Sequence, residues 1–398
     1  MARILFLAPQ PFYQERGTPI AVDLALRVLA AEGHEVDLLT YAEGDAREYP
    51  RLTHRRLPRV PGVGKVPPGF SWKKAIYSSL LIPAALRLAR GRRYDLVHAV
   101  EEAVFVAMLL KRIYSLPFVY DMDSALARQL VDKARWLRPL SPVFRAAERT
   151  AIRQAVAVIA VCPALVAHAN ACGAQRSVLL QDVALLDDRP PGREATDLRQ
   201  GLAASAMLIL YVGNLERYQG VDLLLEGFAA ARRRGSDAAL AVIGGVPADV
   251  ERYRRLASQL GIGHEVRFLG PRPLEDLGAY LAQADVVVSP RTRGNNTPMK
   301  VYSYLASGKP LLATKIDSHT QVLDDEVACL VTPDADGVAT GIARLAGSPD
   351  LRARLGEAGA RRAAERHTWP VFRRTLADAY AGILGETIPG RAEQGARS

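Results

Sequence analysis

The run at residues 284–314, ADVVVSPRTRGNNTPMKVYSYLASGKPLLAT, constrains the fold more than any other stretch. Val286, Val287 and Val288 are β-branched and uninterrupted, the pattern of a strand buried on both faces of a parallel sheet. A polar loop follows, from Arg291 to Thr297. Pro298 suits the first turn of a helix, where its missing N–H costs nothing. The spacing predicts a helix over about 299–307, ended by Gly308 and kept from resuming by Pro310. Residues 311–314 read as the next strand. In a parallel sheet, ligands bind beyond the carboxyl ends of the strands. A helix N-terminus there offers free amides and about half a positive charge. Arg291, Arg293 and Lys300 add three cations to the same loop, which then suits a phosphate or diphosphate. The plain alternative is a solvated basic loop.

The rest of the chain repeats this strand–loop–helix rhythm. Residues 3–7 (RILFL) read as a strand, Gly17 lies in the loop after it, and Pro19 opens a helix with Ile20, Leu24, Val28 and Leu29 at helical spacing. That first loop lacks the three-glycine dinucleotide fingerprint, which argues against a classical NAD site. Further strands are expected at 36–40, 96–99, 118–121 and 156–161. Asp121, Asp123 and Ser124 leave the end of the third of these together, as either ligand contacts or caps of a following helix. The polar, proline-rich run at 187–196 (DDRPPGREAT) is the best candidate for a linker. A second series starts beyond it, with strands at 207–212, 239–243, 266–269, 286–288, 311–314 and 328–331. The last helix, at about 370–384, carries Phe372, Leu376, Tyr380 and Ile383 on one stripe. Two such series imply two doubly wound α/β domains, with the cleft between them as the natural ligand site.

No apolar run reaches the roughly 18 residues that a membrane span needs. The amino end is apolar for too few residues to read as a signal peptide. Cys162, Cys172 and Cys329 make neither a disulfide framework nor a metal cluster, which points to the cytoplasm. The formal net charge of +10 favours anionic partners. Residues 51–93 break the rhythm with a basic loop, including Lys65, and then a basic helix interleaved with Phe70, Trp72, Ile76, Tyr77, Leu80, Leu81 and Ile82. This segment fits either the surface of an anionic membrane or a core helix with a solvated basic face, kinked at Pro83. Peripheral attachment at the inner membrane face is therefore a candidate. Nucleic acid is not expected, since no zinc, helix-turn-helix or stacking-sheet motif accompanies the charge.

The stretches ILFLAPQPFYQERGTPIAVDLALRVLAAEGHEVDLLT, LYVGNLERYQGVDLLLEGF, RFLGPRPLEDLGAYLAQADVVVSP and PMKVYSYLASGKPLLAT resemble the retaining glycosyltransferases of family four. The resemblance covers nearly the whole chain. It implies the GT-B fold, two doubly wound Rossmann-like domains facing a central cleft. The domain reading is an acceptor-binding domain over 1–185, a linker over 186–200 and a nucleotide-sugar domain over 201–369. A helix over 370–385 would cross back to the first domain, and a loose tail would run over 386–398. The implied reaction moves a sugar from a nucleotide-diphosphate donor to an acceptor hydroxyl with retention and without a metal. The donor is a co-substrate, no cofactor is expected, and the acceptor is a sugar, a lipid-linked molecule or a small molecule.

Arg217, Arg291, Lys300 and the amides of 296–299 would stabilise the leaving diphosphate. Gly17 and Thr18 would let a backbone approach it from the other domain. Asp121 or Asp123 would orient the acceptor hydroxyl or take its proton. Asn214, Gln219, Arg293, Asn295, Asn296, Thr297, Pro298, Met299, Ser303 and His319 complete the expected donor contacts, and His98 is a further candidate at a strand end. The sequence departs from the family pattern where it matters. Asn295 and Ser303 stand where the family has two glutamates. Asn214 and Gln219 stand where it has a basic pair, and Gln321 about where it often has a glutamate. The second glutamate normally grips the ribose hydroxyls, and a serine makes only a shorter contact. A catalytically impaired nucleotide-sugar-binding protein is thus the alternative, with a GT-B epimerase behind it.

Overall fold

The computed structural model describes residues 1–64, 66, 71–133, 135–186, 196–203 and 205–387. Most of the expected linker, at 187–195, lies outside these residues, as do Lys65, Phe70 and the tail beyond residue 387. The chain forms two compact units. One holds residues 1–181 and the chain from Phe372 onward, and the other holds residues 182–371.

The first unit contains strands β1 (Arg3–Leu7), β2 (Glu35–Thr40), β3 (Leu52–Arg56), β4 (Leu96–Val100), β5 (Phe118–Met122), β6 (Ala157–Ala160) and β7 (Ser177–Leu179). Its helices are α1 (Gly17–Ala31), α2 (Trp72–Gly91), α3 (Val104–Tyr114), α4 (Leu126–Lys133), α5 (Ser141–Gln154) and α6 (Pro163–Cys172). The strands are all parallel, in the order β3-β2-β1-β4-β5-β6-β7. Strand order therefore reverses between β1 and β4. Their register, Leu7 opposite Ala99, brings the loops that follow them out side by side.

In the second unit come β8 (Met207–Val212), α7 (Val221–Arg233), β9 (Ala238–Ile243), α8 (Pro247–Gln259), β10 (Val266–Gly270), α9 (Leu277–Gln283) and β11 (Val286–Ser289). They are followed by α10 (Lys300–Ala306), β12 (Leu311–Thr314), α11 (Asp317–Thr320), β13 (Ala328–Val331), α12 (Ala335–Ala346) and α13 (Pro349–Arg366). The sheet is again parallel, ordered β10-β9-β8-β11-β12-β13, and it reverses between β8 and β11. Such reversal points are where open α/β sheets bind ligands. Strands β8, β9, β11 and β12 are apolar on both faces and almost wholly buried, as their unbroken Val, Leu, Ile and Ala runs require.

The last helix, α14 (Trp369–Thr387), places Phe372, Leu376, Tyr380 and Ile383 in the interior. Tyr380 reaches His98 of β4, and Arg373 pairs with Glu32, so from Phe372 onward the helix is part of the first unit.

Sequence periodicity missed two edge strands. In β3, LTHRR reads as basic loop, because an edge strand has one neighbour and keeps polar side chains; Arg55 spends its charge on Asp37 of β2. The three-residue β7 is too short to give a pattern. Helix α4, only eight residues long, and the 3₁₀ turn Arg135–Leu140 after it were also not expected from the sequence. Helix α2 runs unbroken past Pro83, and Tyr77, Leu81 and Ala85 are core residues, with Ile76, Leu80 and Ala84 packed beside them. Its apolar side is therefore spent on the protein interior, leaving Trp72 and Ile82 exposed.

Candidate functional site

The reversal point of the second sheet is built from two loops. One follows β8 and ends at Gly220; the other follows β11 and leads to α10. They are locked together. The Thr292 amide donates to the Tyr218 carbonyl at 3.0 Å, and the Arg291 guanidinium lies 5.1 Å from the centre of the Tyr218 ring. Gly220 has φ +71°, and a Cβ there would stand 2.0 Å from the Pro290 carbonyl oxygen, so a glycine is needed for the approach.

Lys300, the first residue of α10, sends its ammonium under these loops. The residue is partly exposed, but Nζ is sealed from solvent and has no hydrogen-bond partner among the described residues. It sits 4.0 Å from the centre of the Tyr211 ring, beside Gly213, where an added Cβ would come within 2.8 Å of it. Burial, and then the neighbouring Arg291 charge, push the Lys300 pKa well down. Arg291 is itself buried and its pKa is lowered by the same cause. Three of its five N–H groups fold the loop: Nε donates to the Arg293 carbonyl at 2.8 Å, Nη1 to the Asn296 carbonyl at 2.8 Å and Nη2 to Asn296 Oδ1 at 3.1 Å. Two buried cations thus face one another. An ammonium held this way lacks the acceptors that would offset its desolvation.

Two more buried polar atoms on the same loops also lack partners among the described residues, Thr297 Oγ1 and Gln219 Oε1. Pro298 is buried next to Thr297, and Met299 is partly exposed before α10. Helix α10 has seven residues and starts at Lys300, slightly later than its sequence suggests. Asn295 and Asn296 are partly exposed, and the Asn295 carbonyl accepts from Gln321 at 2.7 Å. Arg293 is exposed, and among the described residues no ion pair engages it.

The remaining expected donor residues make contacts within the protein or face solvent. Ser303 is 1% exposed and its hydroxyl oxygen accepts the Leu185 amide at 2.9 Å, so it holds the chain entering the second unit. His319 is 0% exposed. Its Nδ1–H donates to the Thr314 carbonyl at 2.8 Å, so Nε2 accepts the Ser289 hydroxyl at 2.9 Å. Burial lowers its pKa to about 4, and the neutral ring braces the end of β11 from within. Asn214 is exposed and caps its own loop by accepting from the Glu216 amide. Arg217 is exposed and lines a pocket of about 360 Å³ with Asp222, Arg252, Tyr253, Arg255, Leu256 and Gln259, whose lining does not include Lys300 or Arg291.

At the reversal point of the first sheet, Gly17 opens α1 into free space, and Thr18 is partly exposed beside it. The first turn of α1 has no acidic residue and no side-chain cap, which leaves its amides to solvent or a ligand. Asp121 accepts from His98 Nε2 at 3.0 Å, and His98 Nδ1 accepts from the Tyr380 hydroxyl at 2.6 Å. His98 is 1% exposed and stacked on Phe6. It is thus a buried positioner of Asp121, whose side chain remains 13% exposed. Asp123 is largely buried close by.

The sequence reading missed two residues here, Glu101 and Glu102. Glu101 has φ +50°, a left-handed conformation that costs a side-chain-bearing residue energy. It accepts from Ser124 at 3.0 Å, so Ser124 is spent on this contact. Burial pushes the Glu101 carboxyl up to about 8. Glu102 pairs with Lys74 at 2.8 Å. The signal available was two adjacent glutamates directly after a buried strand.

The family described as "Glycosyl transferases group 1" matches residues 194–362, and that described as "Glycosyl transferase 4-like domain" matches residues 17–180. A D-inositol 3-phosphate glycosyltransferase of Saccharomonospora viridis is 33% identical over 202 residues, covering 48% of this chain and 46% of the relative; the chain spans about half that relative's length. Among solved structures, sucrose-phosphate synthase from Thermosynechococcus elongatus aligns with a TM-score of 0.79 at 21% identity, over 97% of this chain and 100% of its own. HepE of Anabaena, solved in complex with UDP-glucose, aligns with a TM-score of 0.71 at 17% identity, over 96% of this chain and 100% of its own. Two family matches that together take in most of the sequence, on two parallel Rossmann-like sheets, place the chain among the glycosyltransferases of family four, with the GT-B fold.

Proposed function

We propose that the protein transfers a sugar from a nucleoside-diphosphate donor to an acceptor hydroxyl, with retention of anomeric configuration. One observation carries the donor reading: the buried, unpartnered ammonium of Lys300 beside Arg291 at the reversal point of the second sheet. A diphosphate supplies the missing acceptors and the compensating charge in one group. The same contacts strengthen as the sugar departs and negative charge grows on the leaving oxygen, which lowers the barrier. Thr297 Oγ1 adds a donor, and the remaining Arg291 N–H groups add more. Because these cations already balance the leaving charge, turnover is expected to persist in EDTA. The solved complexes of HepE contain UDP and UDP-glucose, which supports a nucleoside-diphosphate sugar here.

The first unit serves the acceptor. Asp121, held by His98 and in turn by Tyr380, presents a carboxylate that orients a hydroxyl. Glu101 keeps its proton at neutral pH, so it can donate as well as accept. Sugar, lipid-linked and small polyhydroxyl acceptors all fit this chemistry.

One observation favours a second reading, a donor-binding protein with impaired transfer. Ser303 occupies a family carboxylate position and is engaged by the Leu185 amide, so its contact with a ribose is weak. Turnover of UDP-, GDP- and ADP-sugars with a panel of hydroxyl acceptors separates the two, with the product's anomeric configuration read by NMR. The account expects nucleotide release coupled to an α-linked product from an α-donor. Donor binding without transfer or hydrolysis throughout the panel would establish the second reading instead.

A further inference from the structure

Residues 126–154 of the first unit carry exposed apolar side chains that the fold does not use. Trp136 is 77% exposed, Leu140 48% and Val143 62%. All three lie within eight residues, on the 3₁₀ turn Arg135–Leu140 and the first turn of α5. Within α5, Val143, Ala146 and Arg149 are exposed on the outward half of the helix, and Leu140 is exposed just before its first turn. The opposite side of α5 is the packed one, with Glu148, Ala151 and Ile152 buried.

The charge around these residues has one sign. Residues 126–154 contain seven arginines and lysines against two acids. One acid, Glu148, is buried and faces His168. Arg128, Arg138, Arg145 and Arg149 are exposed, and no ion pair among the described residues engages them. A tryptophan and two aliphatic side chains exposed among arginines that no ion pair among the described residues engages match the interface of an anionic bilayer: the apolar groups would enter the headgroup boundary while the guanidinium groups meet phosphates. Nucleic acid has no use for exposed Leu140 and Val143, although it would accept the charge. No described helix is long and apolar enough to cross a membrane, so contact from one side is the mode this surface supports.

We propose that the 3₁₀ turn and outer side of α5, through Trp136, Leu140 and Val143 with Arg138 and Arg145, dock the protein on an anionic lipid bilayer. This differs from the basic segment 71–93 singled out in the sequence, whose apolar side is core. Vesicle binding requires no turnover, so its outcome is independent of whether the enzyme transfers sugar.

The test is co-sedimentation of the full chain with phosphatidylglycerol–phosphatidylcholine vesicles and with phosphatidylcholine alone, at low and high salt. The expected result is binding to the anionic vesicles alone, reversed by high salt. Reversing two charges in Arg138→Glu/Arg145→Glu should weaken partitioning by on the order of a hundredfold. Trp136→Ala/Leu140→Ser/Val143→Ser should weaken it by at least about tenfold. Circular dichroism would verify that both variants fold, and Arg87→Glu/Arg90→Glu on α2 should leave binding nearly unchanged. Lack of sedimentation at low salt would overturn the proposal. So would binding that survives both α5 variants but is lost in the α2 variant, or a duplex DNA that binds the same surface while vesicles do not.

Discussion

Lys300 holds a charge where burial and a second cation both oppose it, and that conflict yields two measurable consequences. Its pKa in the free protein lies well below 10.5, and a bound diphosphate should raise it. Between the free and bound values the complex carries the extra proton. Calorimetric titration of a nucleoside diphosphate in buffers of different ionisation enthalpy should therefore show proton uptake at pH values between the free and bound pKa. Lys300→Met should abolish the uptake and lower kcat/KM at least tenfold, about 1.4 kcal/mol. Its melting temperature should not fall, since the variant removes an unpaired buried ammonium. Glu101 provides a second residue-level test. Its carboxyl titrates near 4.5 when unfolded but at about 8 in the native chain, so the native state holds more protons between these values. Stability should fall as pH rises through that window, and Glu101→Gln should melt higher than the parent at pH 8 but not at pH 4. The sequence marked Lys300 and Arg291 as candidates because cations cluster beside a strand end. It could not show that Arg291 spends three N–H groups on its own loop, or that His319 is sealed inside, because hydrogen bonds of that kind depend on tertiary placement.

At the scale of elements, the two reversal points carry the argument. Alternating apolar strands and amphipathic helices made most of both sheets legible, since a parallel strand buried on both faces has a continuous signature. Edge strand β3 was not legible because its free side admits arginine and histidine, and β7 because three residues give no pattern. The helix after β11 was expected one residue early, a common uncertainty where the cap is a turn rather than a side chain. The loop after β8 depends on Gly220. Gly220→Ala would place a methyl group against the Pro290 carbonyl at a left-handed backbone position. It should destabilise the second unit by more than about 2 kcal/mol and weaken donor binding, read by chemical denaturation and nucleotide titration. Normal stability in that variant would show that the two loops are less tightly locked than their geometry requires.

For the whole molecule, the positive balance divides between two tasks. In the account proposed here, a few buried cations serve a diphosphate at the second sheet, while exposed arginines on α5 serve anionic lipid. Only the first of these follows from the family resemblance; the second emerges from which apolar residues the fold leaves outside. In the proposed account, Asn295 and Ser303 depart on the ribose side, and Lys300 and Arg291 supply the charge lost from the basic pair at Asn214 and Gln219. The most direct measurement is a crystal structure of the protein with a nucleoside diphosphate. The account predicts a diphosphate oxygen within about 3 Å of Lys300 Nζ. A nucleotide that binds elsewhere and leaves that ammonium unpartnered would contradict it.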